Sequence, residues 1–430
     1  MISAQGTTLD DGAYLLGSDK MYTRGGKLPF RRAMELVLSA AKALGIPAVF
    51  SVGDSGHDIG LEGALRVIDE VTAELGIRMR LAVISGELPK SYLLDRLERG
   101  VSMPRLIDHP RLSPWLTTED VFGSTRVVAQ MGPEPIMRAL EMGVDGVVTG
   151  RALDEAPHLA LPLLRGFDRG VAAHMAKIVE TAQSGGTWRT PHLVTLHRDR
   201  FEIQPAHPAQ RCTPTSVASV ALYERQNPYA IAYPGGVLEL DAARYEPVDD
   251  VTVAVSGARW RATPYTVKLE GARFAGHRCL GIAGARDPRF VREIDAVLRT
   301  VEQAMADGYP GYVSGRDYRF KLHVFGRNAV MEDSEPVQTT ASHELGIVVD
   351  AVAWDEAVAR AICYRGLHTL LMCDYPGRRT TSGNVAWGTS PEVIEAGEAY
   401  EFSIHHLLPL DDPCEPFRVE VLDFPRRAAA

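Results

Sequence analysis

From Leu28 to about Leu193 the chain alternates helix-like and strand-like segments, and this alternation constrains the fold more than any single motif does. Phe30–Leu44 places apolar residues at Ala33, Leu36, Val37, Ala40 and Leu44, with Gly45 just past its end, which is the spacing and stop of an amphipathic helix. Ile46–Val52 is a short apolar run followed by the turn-rich GDSGHDIG, Leu61–Leu75 reads as the next helix, and Met79–Ile84 as the strand after it. A second round follows: strand Arg126–Ala129, helix Glu134–Met142, strand Gly146–Thr149 and then GRALDEAPH. Strands alternating with helices of this length give βαβ units and a mainly parallel sheet. Such sheets bind ligands beyond the carboxyl ends of their strands, so the loops Gly53–Gly60 and Gly150–His158 are the first places to look for a site.

Further along, Ser216–Glu224 reads as a helix, Val251–Val255, Tyr265–Leu269 and Leu280–Ala283 as strands, and Pro288–Met305 as a long helix. GYPGYVSGRD is the best linker candidate. Beyond it, strands at Arg319–Val324, Leu345–Ala351 and Tyr400–His406 and a helix at Trp354–Leu371 suggest a small α+β module with an antiparallel sheet. The expected organisation is an α/β core over residues 1–310, divisible into lobes of about 1–195 and 196–310, followed by an α+β domain over 316–425.

Charge and composition remove several classes of function. The balance of 46 basic and 55 acidic residues, spread without long runs, shows no basic stripe for nucleic acid and no basic amphipathic helix for a membrane surface. No stretch is apolar enough to span a bilayer, and the first residues lack a basic start and an apolar core. Five cysteines, Cys212, Cys279, Cys363, Cys373 and Cys414, lack zinc-knuckle spacing and suit a reducing, cytoplasmic setting. No phosphate loop, dinucleotide fingerprint, HExxH or GxSxG occurs in a supporting context.

Polar clusters supply the chemical candidates. Asp54, His57 and Asp58 lie in the first rim loop, where either acid can cap a helix and His57 can act as acid or base near neutral pH. Arg151, Asp154 and His158 follow the strand Gly146–Thr149; an arginine there can clamp a carboxylate or phosphate, with Asp154 holding it or serving as base. Lys177 and Glu180 are three residues apart, on one helical face, where the plain reading is a solvated ion pair. In CTPTS, Thr213, Thr215 and Ser216 form a turn able to hold an anion, and Cys212 precedes it. GRRTTSGN, residues 377–384, is donor-rich and suits an anion or an exposed basic loop. A metal is disfavoured, since one imidazole stands alone at the first loop and no third ligand is evident; no cofactor is demanded.

The wording and order of GRALDEA, AKIVETAQSGG, CTPTSVASVALYERQNPYAIAYPGGVLEL and YTVKLEGA resemble the acyclic terpene utilisation (AtuA-like) family over most of the chain. The segments GRNAVMEDSEP, HELGIVVDAV, SGNVAWGTSP and YEFSIHHLL resemble the small ferredoxin-like domain that accompanies it. The resemblance implies a link to bacterial breakdown of branched or isoprenoid carboxylic acids and to acyl-CoA carboxylation pathways. It places Arg151 and Asp154 in the family's GRxxD element and Glu180 in an element that usually reads G-H-x-x-E-C. Here Lys177 replaces the histidine and Thr181 the cysteine, and GDSGHD departs from a glycine-rich G-x-G-x-x-x-D loop, so terpenoid specificity is not implied.

Together these features suggest an enzyme acting on a small carboxylic acid or its acyl-CoA ester, a hydratase or dehydratase type of lyase, acting as a homo-oligomer. Arg151, Lys177 and the CTPTS turn would bind the acid, Asp154 or Glu180 would remove a proton beside the carboxyl, and His57, near Asp54, would return one to the leaving hydroxyl. A hydrolase that activates water with the same carboxylates, and a non-catalytic accessory subunit, are the alternatives. The scheme requires the loops near 54 and 151 to share one cleft.

Overall fold

Residues of alternating side in four short strands build the centre of the first half of the chain. These are β1 (Ile2–Ala4), β2 (Ala48–Ser51), β3 (Met79–Ile84) and, after β4 (Arg126–Ala129), β5 (Gly146–Thr149). They pair in parallel in the order β1-β2-β5-β3, and the C-terminal strand Val419–Phe424 adds antiparallel to β3. Phe50, Leu81, Val83 and Val148 face helices α1 (Lys27–Leu44) and α2 (Asp58–Leu75). Val49, Ala82, Ile84 and Val147 face α3 (Pro133–Leu140) and α4 (Ala156–Leu164). Both faces of the inner strands β2, β3 and β5 are therefore largely buried, as a parallel sheet requires, while β1 forms the more open edge.

The computed structural model describes residues 1–20, 25–181, 191–223, 227–337, 339 and 341–426. They form two compact units, Met1–Arg273 with Phe402–Ala430, and Phe274–Glu401. In the first unit, α5 (Arg169–Thr181) packs with strands of a four-stranded and a three-stranded antiparallel sheet, around Phe201, Ile203, Leu238 and Val255. No helix among the described residues is long and apolar enough to cross a membrane.

Two expectations change. β4 does not join the parallel sheet; it pairs antiparallel with Leu269–Ala272. So short a strand, RVVA, fits either partner, and the register is decided by chain far away in sequence. The strands expected at Tyr265–Leu269 and Leu280–Ala283 are one strand, Thr266–Ala285, whose intervening glycines read as punctuation. Its second part opens the smaller unit, which runs strand, helix (Ile294–Asp307), strand (Tyr318–Phe325), strand (Leu345–Ala353), helix (Glu356–Met372), strand. With Leu345–Ala353 between Tyr318–Phe325 and the opening strand, this is the split βαβ, ferredoxin-like order. The unit thus starts near 274 rather than 316, and GYPGYVSGRD lies within it.

Candidate active site

The loops after β2, β3 and β5 meet at the carboxyl rim of the parallel sheet, but they meet as backbone. The Gly56 carbonyl accepts from the Arg151 N–H at 3.1 Å. Gly56 has φ +70°, and a Cβ there would stand 2.1 Å from the Arg151 nitrogen; one at Gly86 would stand 2.3 Å from it. The crevice expected between the loops near 54 and 151 is therefore closed by main chain.

His57 is fully buried, and its Nδ1 accepts from the Gly60 N–H at 3.1 Å as the cap of α2. The cap is this imidazole and not the expected aspartate. Burial pushes the His57 pKa down, with the Asp58 carboxylate working against it, so the ring is neutral at pH 7 and sealed from a substrate. Asp54 is also buried, at φ +52°, and its carbonyl accepts from the Thr8 N–H at 2.7 Å, tying the loop after β1 to the loop after β2. Asp58 lies in the first turn of α2 and accepts from the Ser85 hydroxyl.

Arg151 was expected to clamp a substrate carboxylate, but its guanidinium is already engaged. Nε and Nη2 donate to the two oxygens of Glu270 at 2.8 and 3.3 Å, and Nη1 donates to the Thr7 carbonyl at 3.0 Å. Asp154 lies 3.6 Å from Nη1 and accepts from the Gln5 amide at 3.1 Å. Lys268 pairs with the same Glu270 at 2.8 Å, and the Gln130 amide oxygen, turned toward them, accepts from both cations. Although burial works against ionisation, Arg151 and Lys268 hold Glu270 down at about 2. The arginine is an internal brace.

Lys177 and Glu180 are not the solvated pair that their spacing suggests. The lysine is 4 % exposed and lies 3.0 Å from Glu180 and 3.8 Å from Glu155, whose carboxylate also accepts from the Tyr233 hydroxyl at 3.1 Å. Burial pushes Glu180 up to about 7; Lys177 opposes the shift, and Glu155 and Asp154 add to it. Burial also raises Asp154, against the pull of Arg151. Asp154, Glu155, Lys177 and Glu180 thus form one electrostatic cluster, contributed by the loop after β5 and by α5. Glu180 lines a cavity of about 960 Å³ bounded by β1, α4, α5 and the strand His192–Leu196. Its walls include Ile2, Leu161, Phe167, Met175, Val179 and Leu196, with Gln5, His158, Arg165 and His192 among its polar members. His158 is held at about 4 by burial, with Ser3 Oγ 2.8 Å from its Nδ1.

The remaining anion candidates are occupied by their own backbone. Thr213 and Ser216 cap each other's N–H groups at 3.1 and 2.9 Å, closing a five-residue helix on which Thr215 is exposed. Cys212 is buried and pushed up to about 11, which leaves no thiolate at neutral pH. In GRRTTSGN, the buried Asn384 amide donates to the Leu370 and Cys373 carbonyls at 3.0 and 2.8 Å, finishing the preceding helix. Among the described residues, no three His, Cys, Asp or Glu side chains gather as a metal-binding group.

Sequence reasoning missed Glu155, Glu270, Lys268, Tyr233 and Gln5. A trace of two of them was visible: in YTVKLEGA, Lys268 and Glu270 are two apart, on one face of a strand. The sequence profile described as "Acyclic terpene utilisation family protein AtuA" matches residues 15–168 and 202–400, and the chain belongs to that family. No curated protein and no solved structure matches it.

Proposed function

We propose that this member of the acyclic terpene utilisation family is an enzyme of carboxylic acid or acyl-CoA catabolism, a lyase of the hydratase/dehydratase type in which Glu180 carries the proton. One observation carries the reading: a partly buried carboxyl, pushed up to about 7 by its surroundings, lines a cavity whose walls are largely aliphatic. A base working beside a carboxyl or thioester needs a pKa near the working pH, and burial with a neighbouring like charge is how proteins raise a glutamate to that value. The aliphatic walls suit the chain of the acid.

In the dehydration direction, ionised Glu180 takes the proton from the carbon next to the carbonyl. The electron pair left there forms the double bond as the C–O bond to the β-hydroxyl breaks. Glu180 returns its proton to the departing hydroxyl, which leaves as water. Lys177, 3.0 Å from Glu180, is the cation at hand for the negative charge that develops on the carbonyl oxygen. His57 takes no part in this scheme, because it is buried as the cap at the start of α2, and Arg151 only braces the loop that bears Asp154.

The test measures hydration of 2-enoyl thioesters and free 2-enoic acids of graded chain length, with deuterium uptake from solvent at the α-carbon as a second readout. Glu180→Gln, with unchanged circular dichroism, should lower both by about 100-fold or more, the usual contribution of a general base. Wild-type dehydration should rise through about pH 7 as Glu180 ionises. Full turnover in Glu180→Gln, or no α-exchange with any of these acids, refutes the proposal. Solvent ¹⁸O that enters the carboxyl group instead of the β-position assigns the same carboxylate to hydrolysis.

A further inference from the structure

We propose that Glu155, held by the Tyr233 hydroxyl, is a positioning residue whose negative charge favours a proton on Glu180. This deepens the reading of Glu180 as the proton carrier and rests on it for its catalytic meaning. Two carboxylates here share one ammonium: contacts of 3.8 and 3.0 Å to Lys177 Nζ hold Glu155 and Glu180 within about 7 Å of each other. They are not equivalent. Glu155 accepts from Tyr233 at 3.1 Å and stands at the start of α4, where the helix favours an anion. Glu180 has Lys177 on one side and the cavity on the other. Glu180 therefore has to ionise against the charge of Glu155, with the shared cation already partly committed.

The other charged groups around the cluster leave the effect of Glu155 on Glu180 in place. Asp154, after β5, adds negative charge and pushes Glu180 the same way. On the cavity's other walls, His158 of α4 is held at about 4 and His192 of the strand His192–Leu196 is lowered by burial, so both are neutral at pH 7. The Tyr223 ring, 6.0 Å from Lys177 Nζ, carries no charge, and Arg165 lines the cavity as a further cation.

The full chain, labelled with ¹³C at the glutamate side-chain carboxyl, gives a direct test. The Glu180 resonance is the one lost in Glu180→Gln, and its titration midpoint is read without any substrate. Wild type should titrate near 7. Glu155→Gln should lower the midpoint by about one to two pH units, from one charge removed at this separation in a protein-like dielectric. Tyr233→Phe should lower it less, and Glu155→Asp should restore it toward the wild-type value. An unchanged or raised midpoint in Glu155→Gln overturns the proposal; should that variant not fold, an unmoved midpoint in Tyr233→Phe does so. Because the readout needs no turnover, an inactive wild type would refute the lyase reading alone, while an unmoved midpoint beside a dead Glu180→Gln would refute only the role of Glu155.

Discussion

Replacing Glu270 with glutamine asks whether Arg151 is a brace or a ligand clamp. Glu270 is 5 % exposed, and its carboxylate is held at about 2 against an ordinary value of 4.5. That gap of roughly two and a half units corresponds to about 3 kcal/mol of folding stability. Because the folded pKa is depressed, this stability is fully present above about pH 5.5 and is lost as the pH falls from there toward 2. Glu270→Gln removes the charge but not the volume. Arg151 is then left buried with the Thr7 carbonyl, the Gln130 oxygen and Asp154 at 3.6 Å. Breaking a buried pair in this way costs about 3–5 kcal/mol at pH 7. The assay is urea unfolding of wild type and variant at a series of pH values between 7 and 3, followed by tryptophan fluorescence. The difference between the two should be largest at pH 7 and shrink with acidification as wild-type Glu270 takes up its proton. A difference below about 1 kcal/mol, the size of an exposed ion pair, or one that does not vary with pH, refutes the brace. A clamp would behave otherwise: freeing the guanidinium would tighten binding of small acids and barely move the unfolding midpoint.

The parallel sheet was legible because its information is local. Val49, Phe50, Ala82, Val83, Val147 and Val148 sit in short apolar runs between helices whose stops, Gly45 and Gly76, are themselves in the sequence. The position of both rim loops followed from that pattern. The roles of the rim residues did not, because each depends on a partner distant in sequence. Arg151 reads as a clamp until Glu270, 119 residues later, takes its guanidinium. Lys177 and Glu180 read as a surface pair until Glu155 and Tyr233 arrive to bury them. Asp54 was noticed for its side chain, whereas its carbonyl makes the link to Thr8. The long strand Thr266–Ala285 misled for a related reason. Its glycines look like breaks locally, and pairing with strands distant in sequence, among them Leu345–Ala353 and Arg126–Ala129, keeps it extended. The family resemblance supplied one thing that spacing could not: it drew Glu180 out of the background of helical surface charges.

Two further substitutions test how the rim is built. His57→Asn keeps an acceptor for the Gly60 N–H, so it should lower stability by about 1–2 kcal/mol through the vacated ring space while the pH profile of turnover keeps its shape; loss of one limb of that profile would return His57 to the chemistry. Gly56→Ala should be far more damaging, and a second glycine shows why. Gly45 and Gly56 have similar backbones, at φ +61° and +70°, so an alanine at either bears the same left-handed penalty of about 1–2 kcal/mol. A Cβ at Gly45 meets nothing within 4 Å, whereas at Gly56 it would stand 2.1 Å from the Arg151 nitrogen. Relieving that overlap requires the loops after β2 and β5 to part and their 3.1 Å hydrogen bond to break. Gly56→Ala should therefore cost about 4 kcal/mol or more, the range reserved for damage of this kind, with little soluble protein recovered. Thermal unfolding of the two variants side by side isolates the contribution of the close approach. Equal losses at the two positions would mean that the loops can part freely, and the rim would then be an open crevice able to admit a ligand.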